Sequence, residues 1–185
     1  MAVLLTLLAI VALVVLSIVG IYNSLVGLRN QVKNSWSQIE VQLKRRHDLI
    51  PNLIDSVKGY MQHERGTLES LTKARSQAMS AEGIADRAKA ESALSGAIGK
   101  LLVAVENYPD LKANQNFLAL QEELSSTENR IAFARQNYND QVLSYNNKIQ
   151  MFPSNLMANA FQFKNEEFFE LEDKTEKEVP KVSFP

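Results

Sequence analysis

The stretch MAVLLTLLAIVALVVLSIVGIY, residues 1–22, carries no charged side chain. Ala2 to Ile21 supplies about 20 apolar or small residues, roughly the hydrocarbon thickness of a bilayer at helical rise. A soluble helix that is apolar on every side needs a large protein around it. The rest of this 185-residue chain is too small and too amphipathic to provide one. A cleaved signal peptide would open on a positive charge, carry a shorter apolar core and end in a small-x-small site. None of these is present, so residues 1–22 are expected to form an uncleaved, single-pass anchor in the lipid bilayer. Arg29 and Lys33 follow closely, then Lys44, Arg45 and Arg46, whereas no Lys or Arg precedes the span. The positive-inside rule then favours the cytoplasm for the remainder of the chain.

With a net charge of −1, the chain lacks the basic face of a general nucleic-acid binder. It has no cysteine, which removes disulfides, thiolate zinc sites and cysteine nucleophiles. The seven glycines and five prolines are few for this length, and three of the prolines lie beyond residue 150. Such long stretches without breakers favour helices.

After Tyr22 the apolar residues fall at helical spacing. Leu25, Leu28, Val32, Trp36, Ile39 and Leu43 step by three and four, and Ile50, Leu53, Val57, Met61, Leu68 and Leu71 resume the stripe. One helix is expected from the membrane to about Met79. Pro51 either kinks it or divides it in two, because proline removes a donor and crowds the carbonyl of His47. SAEGIADR, residues 80–87, is a turn with a capping-type Ser80. A second helix places Ile84, Ala88, Leu94, Ile98, Leu102 and Val105 on one face, with Gly96 and Gly99 suited to close approach by a neighbour. ENYPDLKAN breaks it at Pro109. A third helix carries the stripe Phe117, Leu120, Leu124, Thr127, Ile131, Ala134, Tyr138, Val142, Tyr145, Ile149 and Phe152, and Pro153 stops it. SNLMANAFQF makes a short final helix, and Phe163, Phe168 and Phe169 dock on the bundle.

These elements predict an all-α fold: an elongated, coiled-coil-like helical bundle led by a membrane helix. The expected organisation is an anchor at 1–22, a membrane-proximal helical stalk at 23–50, a distal bundle at 51–169 and a charged irregular tail at 170–185. The second helix is too short to reach back along the stalk. The stripe Leu25, Leu28, Val32, Trp36, Ile39 and Leu43 is therefore expected to lack cover from its own chain, which predicts a homo-oligomer.

Candidate chemistry is sparse. His47 and His63 stand about 24 Å apart on one helix and cannot share a metal. His63-Glu64 lacks the second histidine of HExxH. Arg46, Glu64, Glu106, Glu128 and Arg135 are charges on or beside apolar seams. Charges so placed commonly form interhelical ion pairs that fix register. A metal-dependent hydrolase built on Glu64, Glu106 and Glu128 is the alternative. No glycine-rich phosphate loop or GxSxG is present, and no cofactor is expected.

The ordered segments YNSLVGLRNQVKNSWSQIEVQLKRRHDLIPNLIDSVKGYMQHE, ARSQA, ENYPDLKAN, TENRIAFARQNYND and YNNKIQMFP resemble the LemA family of bacterial membrane proteins. The likeness covers Tyr22 to Phe169. It implies a bacterial inner-membrane protein with an N-terminal anchor and an all-helical bundle led by a long first helix. It implies no reaction. Some relatives begin as lipoproteins with a cysteine just before YN, which would place their domain outside the cell. Ile21 stands there in this chain, so lipid attachment is not expected. The function expected from these observations is a non-enzymatic membrane scaffold, with a regulatory subunit of another membrane protein, such as a protease, as the alternative.

Overall fold

The computed structural model describes residues 1–61 and 63–170. The charged tail expected at 170–185 lies outside the described residues, apart from Glu170. Among the described residues the chain is all-α. Its helices are α1 (Ala2–Lys58), α2 (Arg65–Ser80), α3 (Ile84–Val105), α4 (Pro109–Lys112), α5 (Gln115–Gln150) and α6 (Ser154–Ala160). They divide into two compact units. One comprises Met1–Glu40 with Ala132–Phe168, the other, among the described residues, Val41–Ile131 with Phe169 and Glu170.

In the first unit, α1 begins with the apolar segment. An 18-residue window there has mean hydropathy 3.2 and is wholly bare in the folded chain. By length and composition it can cross a membrane. After Tyr22 the same helix turns amphipathic and pairs antiparallel with the second half of α5. The Trp36 and Tyr138 rings meet at 5.3 Å between centroids. Both helices rise equally per residue, so this contact sets the register.

This pairing corrects the expected bare stalk. Leu25, Val32, Ile39 and Leu43 are buried within a single chain, and Leu28 and Trp36 are half-buried. The cause is the length of α5, whose 36 residues reach about 54 Å. Its second half, from Ala132, joins residues 1–40 in one unit. The stripe therefore does not require a second copy.

The interleaved Tyr and Asn residues of α5 bind the chain that follows α6. Tyr138 and Tyr145 are buried. The Tyr138 hydroxyl donates to the Glu167 carbonyl at 2.8 Å. Burial, reinforced by the Glu166 and Glu167 charges, pushes its pKa up to about 12. The Asn146 amide donates to the Glu166 carbonyl and accepts from its N–H, at 2.9 and 3.0 Å. Phe163 and Phe169 are buried, whereas Phe168 is exposed.

In the second unit, Ile50, Leu53, Val57 and Met61 pack with Leu71, Leu94, Leu101, Leu111 and Phe117. Here the expected single helix to Met79 is corrected. Pro51 lies inside α1, and the break comes at Gly59–Glu64 instead. The Tyr60 and Met61 amides both bond the Val57 carbonyl, which turns the chain while keeping Met61 in the core. Gly83 adopts φ +78°, a conformation that L side chains rarely take, and it leads into α3. Ser80 closes α2 on the Gln77 carbonyl and does not cap α3. A Cβ on Gly96 or Gly99 would meet nothing within 4 Å, so close helix approach is not what these glycines provide. Pro109 opens α4 at its first turn, where a missing N–H costs no helical bond. Asn114 caps α5, its Oδ1 accepting from the Asn116 and Phe117 amides at 2.9 and 3.3 Å.

Pro51 cannot supply the N–H that the His47 carbonyl would otherwise receive. Arg75 of α2 replaces it, its Nε donating to that carbonyl at 2.8 Å. We expect Arg75→Met to cost about 1–3 kcal/mol. In a Pro51→Ala background the restored amide competes for the same acceptor, so the cost should fall by about 1 kcal/mol. Denaturant unfolding of the four proteins gives the coupling, and equal costs in both backgrounds would contradict the substitution of one donor by the other.

Candidate functional site

The second unit buries a charged cluster. Arg46 enters from α1 and is 2% exposed. Glu91 meets it from α3 and is equally buried, forming an ion pair with Arg46 Nη2. Arg46 Nη1 donates to Ser95 Oγ at 2.9 Å and to Glu128 Oε2 on α5 at 2.6 Å. His47, the next residue of α1, places Nε2 2.9 Å from Glu91 Oε1. Ser95 also donates to Glu128, at 3.4 Å. Three helices are thus tied through one guanidinium.

Glu91 decides the electrostatics. Burial opposes its ionisation, but the hydrogen bond to His47 and the charge and hydrogen bond of Arg46 outweigh that penalty. Its pKa is held below the ordinary carboxylate value. Glu128 is half exposed and borders a cavity of about 390 Å³ lined by Arg46, Ser95, Ile98, Leu102 and Asn129 among others. Arg46 Nε is buried there without an acceptor among the described residues.

Of the sequence candidates, Arg46 and Glu128 come together. Glu106 lies at the surface in an ion pair with Lys112. Glu64 sits in the turn before α2, where its backbone carbonyl accepts from Thr67 and Leu68. Arg135 falls in the other unit. Among the described residues no group of three His, Asp or Glu side chains could hold a metal ion. The structure thus does not assemble Glu64, Glu106 and Glu128 into the site that a metal-dependent hydrolase would need.

Glu91 is the member that sequence reasoning missed. It lies three residues after Ala88 and three before Leu94, on the stripe that α3 buries. A carboxylate on a buried helical stripe requires a cationic partner. That was the available signal.

A second feature of this unit is a groove of about 640 Å³ between the end of α1 and α2. Ile54, Met61 and Leu68 form its floor, and Lys58, Arg65 and Lys73 stand around it against Glu69.

A sequence profile of the LemA family matches residues 35–184. The chain belongs to the LemA family. It is similar to protein LemA of Metamycoplasma hominis, with 31% identity over 82% of this chain and 70% of that protein. It is also similar to magnetosome protein MamQ 2 of Paramagnetospirillum magneticum, at 26% identity, and to MamQ of Magnetospirillum gryphiswaldense, at 24%. Each of those matches covers 80% of this chain but only 64% of the relative, just under two thirds of its length. This LemA family member thus pairs a helical bundle with an N-terminal helix that fits a membrane protein.

Proposed function

We propose that this protein is a membrane-anchored, non-enzymatic scaffold that holds a partner protein at the membrane surface. The observation that carries this reading is the α1–α2 groove, with its apolar floor and cationic rim. Its chemistry fits an amphipathic segment that carries acidic residues beside apolar ones. The bare apolar segment supports the anchor. The ion cluster supports a scaffold, because Arg46 and Glu91 satisfy each other and tie helices together. The charge bias after the span favours the cytoplasmic side for the bundle. Self-association is not part of the reading, since the stripe that motivated it is covered.

The test uses a photoreactive amino acid in place of Thr72, which lines the groove. Illumination in native membranes should give a discrete adduct with another protein. Reversing Lys58, Arg65 and Lys73 to glutamate should abolish that adduct without changing the melting temperature. An adduct of two copies of this chain, no adduct, or an adduct indifferent to the reversal would each count against the proposal.

A further inference from the structure

The last residues of α5 and the loop after them were expected to continue the buried stripe through Phe152. Instead α5 ends at Gln150, and Phe152 is 79% exposed. Met151, Leu156 and Phe161 are also exposed, at 61%, 55% and 54%. No charged residue occurs from Ile149 to Phe163, between Lys148 and Lys164, in a chain whose residues are 22% charged. The other long uncharged run is residues 1–28, which contains the span.

The register of the first unit brings these two runs to one level. Tyr138 meets Trp36. Each step toward the end of α5 therefore corresponds to one step back toward the start of α1. Continued to Gln150, the last residue of α5, this register reaches Ser24, two residues short of Tyr22, and Phe152 follows two residues later. The returning chain agrees, because Phe161 and Phe163 place their rings 4.9 and 5.9 Å from Tyr22. Tyr22 closes the segment of about 20 residues that matches the hydrocarbon thickness. Aromatic residues concentrate at that boundary, where a ring meets both lipid and water.

We propose that the Met151–Phe161 segment is a second membrane contact, which inserts Phe152 and its apolar neighbours into the lipid headgroup and upper acyl region. The inference rests on the anchor reading. The occupant is lipid because the patch is uncharged, stands at the level where the bare span ends and is continuous with it through the Tyr22–Phe161 contact. An exposed apolar face gains by burial in this interfacial layer, in proportion to the apolar area it buries. The contact gives the first unit two points of attachment and so fixes the orientation of its helices at the bilayer.

Full-length protein with Trp36→Phe, reconstituted in phosphatidylcholine vesicles, provides the test. A single tryptophan is placed at Phe152, at Tyr22 or at Phe133. Phe133 is exposed and lies in the same unit, roughly 25 Å back along α5. Lipids brominated on their acyl chains should quench tryptophan at 152 as strongly as at 22, and leave tryptophan at 133 unchanged. Quenching at 22 without quenching at 152 would overturn the second contact and leave the anchor standing. Absence of quenching at both positions would overturn both. A blue-shifted, unquenched tryptophan at 152 would mean that protein, not lipid, covers the patch, and would likewise overturn the proposal.

Discussion

Arg46→Ala is expected to lower the unfolding free energy of the detergent-solubilised full chain by about 3–5 kcal/mol. The substitution strands Glu91, which is 2% exposed, and removes the donor shared with Ser95 and Glu128. A buried carboxylate without its cation must either remain charged in a poor solvent or take up a proton. Arg45→Ala is the internal control. Arg45, one residue away in sequence, pairs with Glu123, and both of those side chains are well exposed. Water and salt screen such a pair, and its loss should cost under about 1 kcal/mol. Denaturant titration of both variants measures the contrast. Equal losses would contradict the placement of Arg46 at the junction of α1, α3 and α5.

Glu91→Gln should cost on the order of 3 kcal/mol at pH 7, because Arg46 and His47 lose the anion they face inside the bundle. Its pH dependence is more specific. The folded-state pKa of Glu91 lies below the ordinary value of 4.5. The ionised carboxylate therefore contributes stability above that ordinary value, and the contribution is lost as pH falls through the folded value. The gap between wild type and Glu91→Gln should thus be full at pH 7 and shrink below about pH 4.5. A gap that stays constant from pH 7 to pH 3 would mean that folding does not lower the Glu91 pKa, and would contradict its pairing with Arg46 and His47.

The helices and their faces were legible because apolar spacing reports burial directly. The break between α1 and α2 was harder to read. Proline is the stronger breaker on average, yet Pro51 lies inside α1 with Arg75 bonded to the carbonyl it orphans. The usable sign was a gap in the stripe: Met61 is followed by no apolar member until Leu68, with Gly59 and Gly66 on either side. The fate of the stripe at Leu25–Leu43 could not be read from local pattern. It depends on how far α5 runs, and the register between α1 and α5 is a non-local property of side chains such as Trp36 and Tyr138. The candidate site was half visible. Arg46 and Glu128 stood out as charges at seams, whereas Glu91 stood among small residues and was overlooked.

The segment 2–20 contributes nothing to the buried core of either unit. Its removal should separate attachment from folding. The direct measurement is flotation with lipid vesicles under alkaline carbonate, with circular dichroism on the same samples. The full chain should float, and residues 22–185 should remain at the bottom with the helix content of a folded bundle. A full chain released by carbonate, or a truncated chain that floats as firmly as the full one, would contradict anchoring through this helix.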